Sequence, residues 1–447
     1  MDVLSVLGLV LGLALLIFMG FKGWGMVPTS IAGSLAVIVT NQMNLWEALD
    51  VYYATFMKNY AGSFMLLFFF GTLFGAIIGS SGAAKSIACK IMDLVGTQRA
   101  LLVVVVTSAV LSYGGVSFGV VVFTLYPIAL ILFKEGNVSK RLFPAALFAG
   151  CTSFTMVGLP GSPAIQNIMP TQVLGTTAYA APVNGILVSA VIFVLSILWL
   201  QWNDKQLKAK GIGFVPGPKD DLSDSDIHYR DGMLPFKLAI IPVLFVVIYI
   251  FILQQILHVN WSTNFIVIQA LTLGCVLGFA MFHSRISKVK ENVNNAAVSS
   301  LIALMNTAVV TGFGGVVQGS HGFALVTDFA FGLPISPLIS ACLAVGIVAA
   351  ACGSCSGGLS VFLASLGPQY VDLCKAQGID LQILHRAIDW AGGGAGSLPH
   401  SGGYVTAIVY TDQTPKETYP YFFVTNDLLP LLGCVLTVVL YMWFSVV

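Results

Sequence analysis

A nine-residue stretch that breaks a long apolar segment constrains this chain more than any other feature. Leu159–Asn167 places two prolines, one glycine and several polar side chains inside otherwise apolar sequence. A near copy, Leu398–Tyr404, stands 239 residues later. A break of this kind inside a bilayer is tolerated only where protein buries it or where it lines a cavity. We therefore expect both stretches to lie at a binding site at membrane depth.

Composition places the chain in a membrane. Of its 447 residues, 57% are hydrophobic and only 9% are charged, whereas a soluble protein carries about 25% charged residues. The formal net charge is +1 and the basic residues form no patch, which argues against a nucleic-acid partner. The first twenty residues lack a basic start and a cleavage site, so they are expected to be a retained span.

Eight segments are long enough to cross a bilayer, which takes about 20 apolar residues. They are Val3–Gly20, Met26–Asn41, Gly62–Ser80, Val183–Leu200, Leu234–Leu253, Asn264–Met281, Leu301–Gly319 and Leu428–Val447.

Four further segments are apolar but interrupted. Residues 99–133 and 334–370 are too long for one span, and we expect them to be re-entrant hairpins that turn at Gly114–Ser117 and Gly357–Ser360. Residues 142–171 and 384–410 are expected to be helices broken by the opening stretch and by its copy, respectively. Each pair has one member in each half of the chain.

An internal repeat accounts for this pairing. The first half would be residues 1–201, the linker 202–233 and the second half 234–447. Matching residues recur in order at nearly constant offsets: Gly75, Gly79, Ser80 and Gly82 after 240 residues, Gly114, Gly115 and Ser117 after 243, Leu159, Pro160 and Ser162 after 239, and Asn184 after 242.

Basic residues indicate the orientation, because they concentrate in cytoplasmic loops. With five crossings and one hairpin per half, 17 of the 20 basic residues face the cytoplasm, and only Lys58, Lys375 and Arg386 do not. The expected fold is an all-α polytopic membrane protein with an inverted 5+5 repeat, two opposed re-entrant hairpins and two broken helices. Both termini would then lie outside the cytoplasmic membrane of a bacterium.

The four breaks are the candidate substrate site, because unwound helices leave backbone groups free to bind a ligand. No Lys or Arg lies at the breaks, so an anion would be held by helix N-termini and by neutral donors. The candidates for substrate contact are Gly114, Gly115, Ser117, Ser162, Gln166, Asn167, Ser356, Gly357, Gly358, Ser360, His400, Ser401, Tyr404 and Thr406.

Simpler roles stand beside these assignments. The glycines and serines would also allow helices to pack closely. Asn167 and Thr406 would also satisfy backbone groups that the breaks leave unpaired.

Two residues are candidates for ion coupling. Asp389 is an acid inside an apolar segment, which makes it a proton or cation carrier candidate. His400 titrates near neutral pH. For Asp389 two alternatives remain open, pairing with Arg386 and a position near the outer surface.

The sequence contains no catalytic constellation, no phosphate-binding loop and no His-Glu-x-x-His motif. Cys352 and Cys355 have the spacing of a redox or metal pair, but their Ala and Gly neighbours favour a packing role. We therefore expect no enzyme activity, no catalytic residues, no cofactor and no metal site.

At these residues the sequence resembles the GntP family of gluconate-type permeases, within the ion transporter superfamily. The glycine series from Gly75 to Gly82, the turn at Gly114–Ser117, the stretch Leu159–Pro163 and the ending Val424–Pro430 carry the resemblance. It implies proton-coupled uptake of a small hydroxycarboxylate such as 3-hydroxybutyrate or gluconate. Family members often have a His-rich and Pro-rich run where this chain has Leu159–Pro163, which favours a less hydroxylated monocarboxylate.

The expected partners follow from this interpretation. They are a small organic anion, a proton or sodium ion, the lipid bilayer and a second copy of the chain in a homodimer. The alternatives are a sodium/proton-type antiporter of the same superfamily, in which Asp389 would carry the ion, and an intramembrane enzyme.

Overall fold

The computed structural model describes residues 2–22, 24–116, 118–218, 220, 232–325 and 335–447. Within those residues the chain is helical and contains no strand. The helices used below are α1 (Asp2–Phe21), α2 (Met26–Thr40), α3 (Leu45–Ser80), α4 (Ala83–Val95), α5 (Ala100–Tyr113), α6 (Phe118–Glu135), α7 (Phe143–Phe148), α8 (Ile165–Leu174), α9 (Pro182–Ala209), α10 (Phe236–Ile256), α11 (Thr263–Phe282), α12 (Val289–Gln318), α13 (Pro337–Cys352), α14 (Cys355–Ser365), α15 (Gly367–Ala376), α16 (Leu381–Ala395), α17 (Gly402–Tyr410) and α18 (Pro415–Phe444).

Seven helices of the described chain are long and apolar enough to cross a membrane, and eight if the bent pair of α4 and the helical segment Thr97–Tyr113 counts as one span. The seven are α3, α6, α9, α10, α11, α12 and α18. Each of the eight continuous spans predicted from the sequence overlaps a helix. The chain is therefore a multi-pass membrane protein, and the count of ten crossings stays a prediction.

The helix α9 shows how these spans face lipid. Its exposed large apolar side chains recur every three or four residues along one face, at Val183, Leu187, Val191, Val194 and Leu198. That spacing places them on one stripe of an α-helix. In a soluble protein such a stripe would be buried, so this face is suited to contact acyl chains.

Helices that correspond in the predicted repeat pack antiparallel. In the pair α9 and α18, Asn184 donates to the Thr437 carbonyl oxygen at 3.2 Å, and Trp199 donates to the Tyr421 carbonyl oxygen at 3.2 Å. Moving up one helix therefore means moving down the other. In the pair α3 and α12, Gly319 lies against Tyr52, and Thr307 lies against Tyr60. An inverted repeat requires this arrangement.

The first predicted hairpin turns where the sequence placed the break. The helix α5 ends at Tyr113 and α6 begins at Phe118. Gly115 has φ of +89°, a conformation that a side chain would strain. Ser117 lies outside the described residues.

The second predicted hairpin turns four residues before the expected position, so that part of the prediction was wrong. The turn is at Gly353, with φ of +57°, and the Ser354 hydroxyl accepts a hydrogen bond from the Gly357 N–H at 3.2 Å. That contact caps α14, because a serine oxygen satisfies a free N–H of the first turn. Gly357, Gly358 and Ser360 therefore lie inside α14.

Both helices that were expected to break at prolines do so. After α7 and a π-helical turn at Ala149–Ser153, the chain is irregular until α8 begins at Ile165. After α16 the chain is irregular until α17 begins at Gly402. We call these irregular segments break 1 (residues 154–164) and break 2 (residues 396–401).

A buried ion pair connects the linker (residues 202–233) to the membrane helices. Asp220 accepts from the Lys140 ammonium at 2.5 Å and from the Tyr126 hydroxyl at 2.7 Å. The Lys140 ammonium also lies 3.4 Å from the Thr411 carbonyl oxygen, beyond the end of α17. Burial raises the pKa of Asp220, but the hydrogen bonds from Lys140, the Gly217 N–H and Tyr126 outweigh it, and the pKa lies below its usual value of 3.8.

Asp220→Asn is expected to destabilise the protein by roughly 3 kcal/mol at neutral pH, because Lys140 would stay buried without a counter-charge. A carboxyl whose pKa is lowered by folding stabilises the protein above its unfolded pKa and loses that effect below it. The difference between wild type and variant should thus be constant above about pH 5 and shrink as the pH falls through 3.8. Thermal unfolding in detergent across this range measures it, and a difference that grows in acid would contradict the assignment.

Candidate functional site

Each hairpin turn touches the proline break of its own half. A Cβ at Gly115 would lie 3.3 Å from Pro163 Cγ, and the Tyr113 hydroxyl donates to the Pro160 carbonyl oxygen at 2.7 Å. A Cβ at Gly353 would lie 2.6 Å from His400 Cδ2. In each half, the hairpin turn therefore lies directly against the proline break.

The helices that follow the breaks then pack against the hairpin of the other half. The helix α8 packs on α14. The helix α17 packs on α6, with the Tyr410 ring centroid 4.7 Å from Phe123 and 5.4 Å from Tyr126. The helix after each proline break thus packs against the hairpin of the other half, which is the arrangement that a shared substrate site would require.

Four helices start at these breaks, namely α6, α8, α14 and α17. A helix N-terminus carries free N–H groups and a partial positive charge of about half an elementary charge. Such N-termini favour an anion, and no Lys or Arg belongs to the sequence of the breaks themselves.

At break 1, two of the three predicted polar side chains form hydrogen bonds with the protein backbone. Asn167 donates to the Ser162 and Ala178 carbonyl oxygens at 2.8 and 2.9 Å. Ser162 is fully buried, and its hydroxyl accepts from the Ala164 N–H at 3.3 Å. Gln166 Oε1 and Asn167 Oδ1 are both buried and have no hydrogen-bond partner among the described residues. The Asn167 amide nitrogen thus satisfies the broken backbone, and each of the two side chains retains an acceptor oxygen.

At break 2 the predicted residues point in different directions. The His400 ring lies beside the backbone of Ala350 and Ala351 at the end of α13. Ser401 is buried where α17 begins, with its N–H donating to the Leu398 carbonyl oxygen at 2.7 Å. Tyr404 is buried with its hydroxyl 2.7 Å from Thr418 Oγ1. Thr406 is exposed and donates back to its own helix.

At the second hairpin, the hydroxyl oxygens of Ser354 and Ser356 lie 3.1 Å apart beside the turn. Ser360 is one turn further into α14 and donates to the Gly357 carbonyl oxygen at 2.8 Å. Among the glycines, Gly114 packs against Val243 and Gly358 against Ala349. The packing role therefore fits Gly114 and Gly358, and the turn itself is formed by Gly115 and Gly353.

Gly358→Ala tests this packing. A Cβ at Gly358 would lie 2.5 to 2.7 Å from Ala349 atoms, including its backbone nitrogen and Cα, so α13 and α14 would have to separate. We expect a loss of about 1–3 kcal/mol in stability. Gly62→Ala is the matched control, because a Cβ there meets nothing within 4 Å and alanine favours a helix by about 0.5–1 kcal/mol. Equal melting temperatures for the two variants would show that α13 and α14 do not pack this closely.

A group of three charged or titratable side chains, which we call the α16 cluster, lies behind break 1. His385, Arg386 and Asp389 are completely buried. His385 Nε2 is 3.2 Å and Arg386 Nη1 is 3.5 Å from Asp389 Oδ2. The sequence counted Arg386 among the basic residues that do not face the cytoplasm, and the structure buries it within α16. Asp389 pairs with it, which is one of the alternatives left open above.

Arg386 and His385 connect the α16 cluster to break 1. The Arg386 guanidinium donates to the Val157 and Ala180 carbonyl oxygens, both at 3.0 Å. His385 Nδ1 is 2.7 Å from Thr176 Oγ1. Arg386 Nε and Asp389 Oδ1 are buried and have no hydrogen-bond partner within the described ranges. Sequence reasoning missed His385 and the role of Arg386, although their spacing to Asp389 places all three within one turn of a helix.

An apolar cavity of about 560 Å³ opens beside break 1. Tyr113, Leu159 and Pro160 form one wall, and Tyr179 and side chains of α9 and α10 form the rest. The polar residues predicted to bind substrate do not line it. Its lining is mainly apolar, with Gln255 and two tyrosines as the polar side chains.

Comparisons with known proteins agree with a transporter. The model of the family CitMHS, described as "Citrate transporter", matches residues 4–388. An "Uncharacterized transporter YxjC" of Bacillus subtilis (strain 168) is 31% identical over 451 residues, which cover 93% of this chain and 94% of that protein. An "Uncharacterized transporter" of Haemophilus influenzae is 26% identical over 243 residues, 54% of this chain and 51% of that protein.

These matches do not test the resemblance to gluconate-type permeases, which stays a prediction. They do cover both halves of the chain and all four breaks. The chain belongs to the CitMHS family of transporters.

Proposed function

We propose that this protein is a secondary active transporter that carries a small organic hydroxycarboxylate together with a proton. The observation that supports this best is the α16 cluster, a buried aspartate, arginine and histidine that is hydrogen-bonded to the backbone of break 1. The predicted ion-coupling residue Asp389 belongs to this cluster. His400, the second candidate, lies at break 2 on the opposite side of the site.

Charge balance explains why an anion and a proton would travel together. Arg386 and Asp389 compensate each other, so the α16 cluster is neutral when His385 is neutral. A carboxylate that enters next to it adds a negative charge in a medium where an uncompensated charge costs several kcal/mol. A proton on the cluster would remove that cost. Binding of either one therefore favours binding of the other.

The site is suited to a substrate with one negative charge. Arg386 commits both terminal nitrogens to backbone carbonyl oxygens, and no other Lys or Arg lies at the four breaks of the described chain. Helix N-termini and the side chains of Gln166, Ser356 and His400 are the groups that we propose to contact the ligand. A monocarboxylate such as 3-hydroxybutyrate or gluconate fits these groups better than citrate, which carries three carboxylates and would need more positive charge.

Alternating access would come from two inverted halves, residues 1–201 and 234–447, joined by the linker 202–233. The antiparallel pairs α3 with α12 and α9 with α18 support this arrangement. Each half would contribute five crossings, one re-entrant hairpin and one broken helix. Both termini would face the outside of a bacterial inner membrane, and a homodimer would be the functional unit.

Uptake into proteoliposomes tests the proposal. Radiolabelled 3-hydroxybutyrate, gluconate and citrate are offered under an inward proton gradient or an inward sodium gradient. We expect a monocarboxylate to accumulate under the proton gradient and to leak out when an ionophore collapses it. Accumulation of no carboxylate under either gradient would contradict the proposal. Sodium–proton exchange without carboxylate uptake would instead support the antiporter alternative.

A further inference from the structure

A π-helical turn interrupts the last membrane helix, α18, at Val424–Leu428. Single π turns within α-helices occur frequently at functional sites. This turn carries Asn426 and Asp427, which are 1% and 2% exposed. Asp427 is the thirteenth residue of the 30-residue helix, about 18 Å from its start at a rise of about 1.5 Å per residue. An acidic side chain therefore lies near the middle of a membrane helix.

Asp427 has almost no polar contacts. The Tyr419 hydroxyl donates to its Oδ2 at 3.4 Å. Its Oδ1 is buried and has no hydrogen-bond partner in the part of the chain that the structure describes. No described Lys, Arg or His side chain pairs with it. An ionised carboxylate in such a place costs several kcal/mol, and protonation removes that cost.

The elements around the π turn supply no counter-charge. The helix α16 is so close that a Cβ at Gly394 would lie 2.8 Å from the Asp427 carbonyl oxygen, but its charged residues pair with one another. The helix α9 has no charged residue from Pro182 to Asn203. The titratable side chains that interact with Asp427 are Tyr419 and Tyr404. The packed elements also carry Cys151, the α16 cluster, Cys434 and Tyr421, and the charged residues Lys416, Glu417, Asp204, Lys205 and Lys208 lie toward their ends.

We infer that Asp427 is a second proton-binding carboxyl of the transporter, separate from the α16 cluster. Oδ1 would accept a proton to form an O–H bond and later release the same proton to the other side of the membrane. No electron transfer and no covalent change elsewhere is involved. The part played in transport rests on the proposed function, whereas the proton binding itself does not.

Infrared difference spectroscopy tests the proton site without any substrate. The full-length protein in lipid is stepped between acidic and alkaline pH, and the carbonyl stretch of protonated carboxyl groups is recorded. We expect Asp427→Asn to lose one band that wild type shows. Glu291→Gln is the control and should keep it, because Glu291 is 56% exposed on the surface near Lys288. An Asp427→Asn spectrum identical to that of wild type would overturn the inference.

A second variant covers the case in which Asp427→Asn does not fold. Tyr419→Phe removes the single hydroxyl that donates to Asp427, so the pH midpoint of the same band should move. An unchanged midpoint would overturn the inference. Replacing protons by sodium ions at constant pH should leave the band unaffected, and a response to sodium would show that Asp427 binds that cation instead.

Transport then tests the coupling role. With a gradient of about one pH unit, each coupled proton raises the accumulation ratio about tenfold. Asp427→Asn should therefore lower accumulation of the transported carboxylate about tenfold and leave exchange intact. Accumulation equal to wild type would overturn the coupling role. If wild type accumulates none of the three carboxylates, the proposed function fails, and the infrared result alone decides whether Asp427 binds a proton.

Discussion

Arg386→Met is expected to destabilise the protein by about 3–5 kcal/mol, because it leaves Asp389 buried without its counter-charge. The Val157 and Ala180 carbonyl oxygens would also lose the guanidinium donor that holds break 1. Each buried group without a partner adds a cost of about 1–3 kcal/mol. The expected result is a large drop in melting temperature in detergent and a loss of the folded species on size-exclusion chromatography.

The double variant Arg386→Met with Asp389→Leu separates charge from packing. It removes both charges together, and replacing a buried pair by apolar side chains is often nearly neutral. We expect it to be more stable than Arg386→Met alone, although the two carbonyl oxygens still lack a donor. A double variant as unstable as the sum of its single variants would show that the two side chains do not interact. Lys288→Met is the control, because its exposed pair with Glu291 contributes at most about 1 kcal/mol.

Asp389→Asn is expected to lower accumulation driven by a proton gradient by the share of one coupled proton, while sparing exchange of substrate across the membrane. Asparagine keeps the size of the side chain but cannot complete a protonation cycle. Exchange moves no net proton, so it does not need that cycle. With a gradient of about one pH unit, the loss of one coupled proton lowers accumulation about tenfold.

The quantity to compare between variants is the ratio of gradient-driven substrate accumulation to substrate exchange. This ratio does not depend on how much of the variant protein folds. Glu291→Gln should keep the wild-type ratio. His385→Gln should lower it, because His385 Nε2 lies 3.2 Å from the Asp389 carboxylate. An unchanged ratio for Asp389→Asn would remove Asp389 from the coupling mechanism.

Much of the fold follows from local sequence. The eight continuous spans overlap helices because about 20 apolar residues in a row have few other stable arrangements in lipid. The turn at Gly115 and both proline breaks lie where the sequence placed them, because proline removes a backbone donor and glycine permits a left-handed turn wherever they occur.

The second hairpin shows where local reasoning stops. Gly353 and Gly357–Gly358 are all possible turning points within one segment. The turn falls at Gly353 because Ser354 caps the next helix and because Gly358 is needed for close contact with Ala349. With Gly115 matched to Gly353, the repeat offset is 238 residues, close to the 239 that separate the two proline breaks.

The sequence by itself determined the class of protein, the positions of three of the four breaks and the presence of an acid in an apolar segment, because these depend on residues near one another in the chain. Only the tertiary structure decided which groups the buried charged side chains contact. Arg386 donates to a carbonyl oxygen 229 residues away, so a charge with no partner assigned from the sequence supports break 1. Asp427 is the opposite case, since folding buries it and no Lys, Arg or His of the described ranges pairs with it. Counter-charges come from distant segments, so the chemistry of a buried acid is decided by packing rather than by its neighbours in sequence.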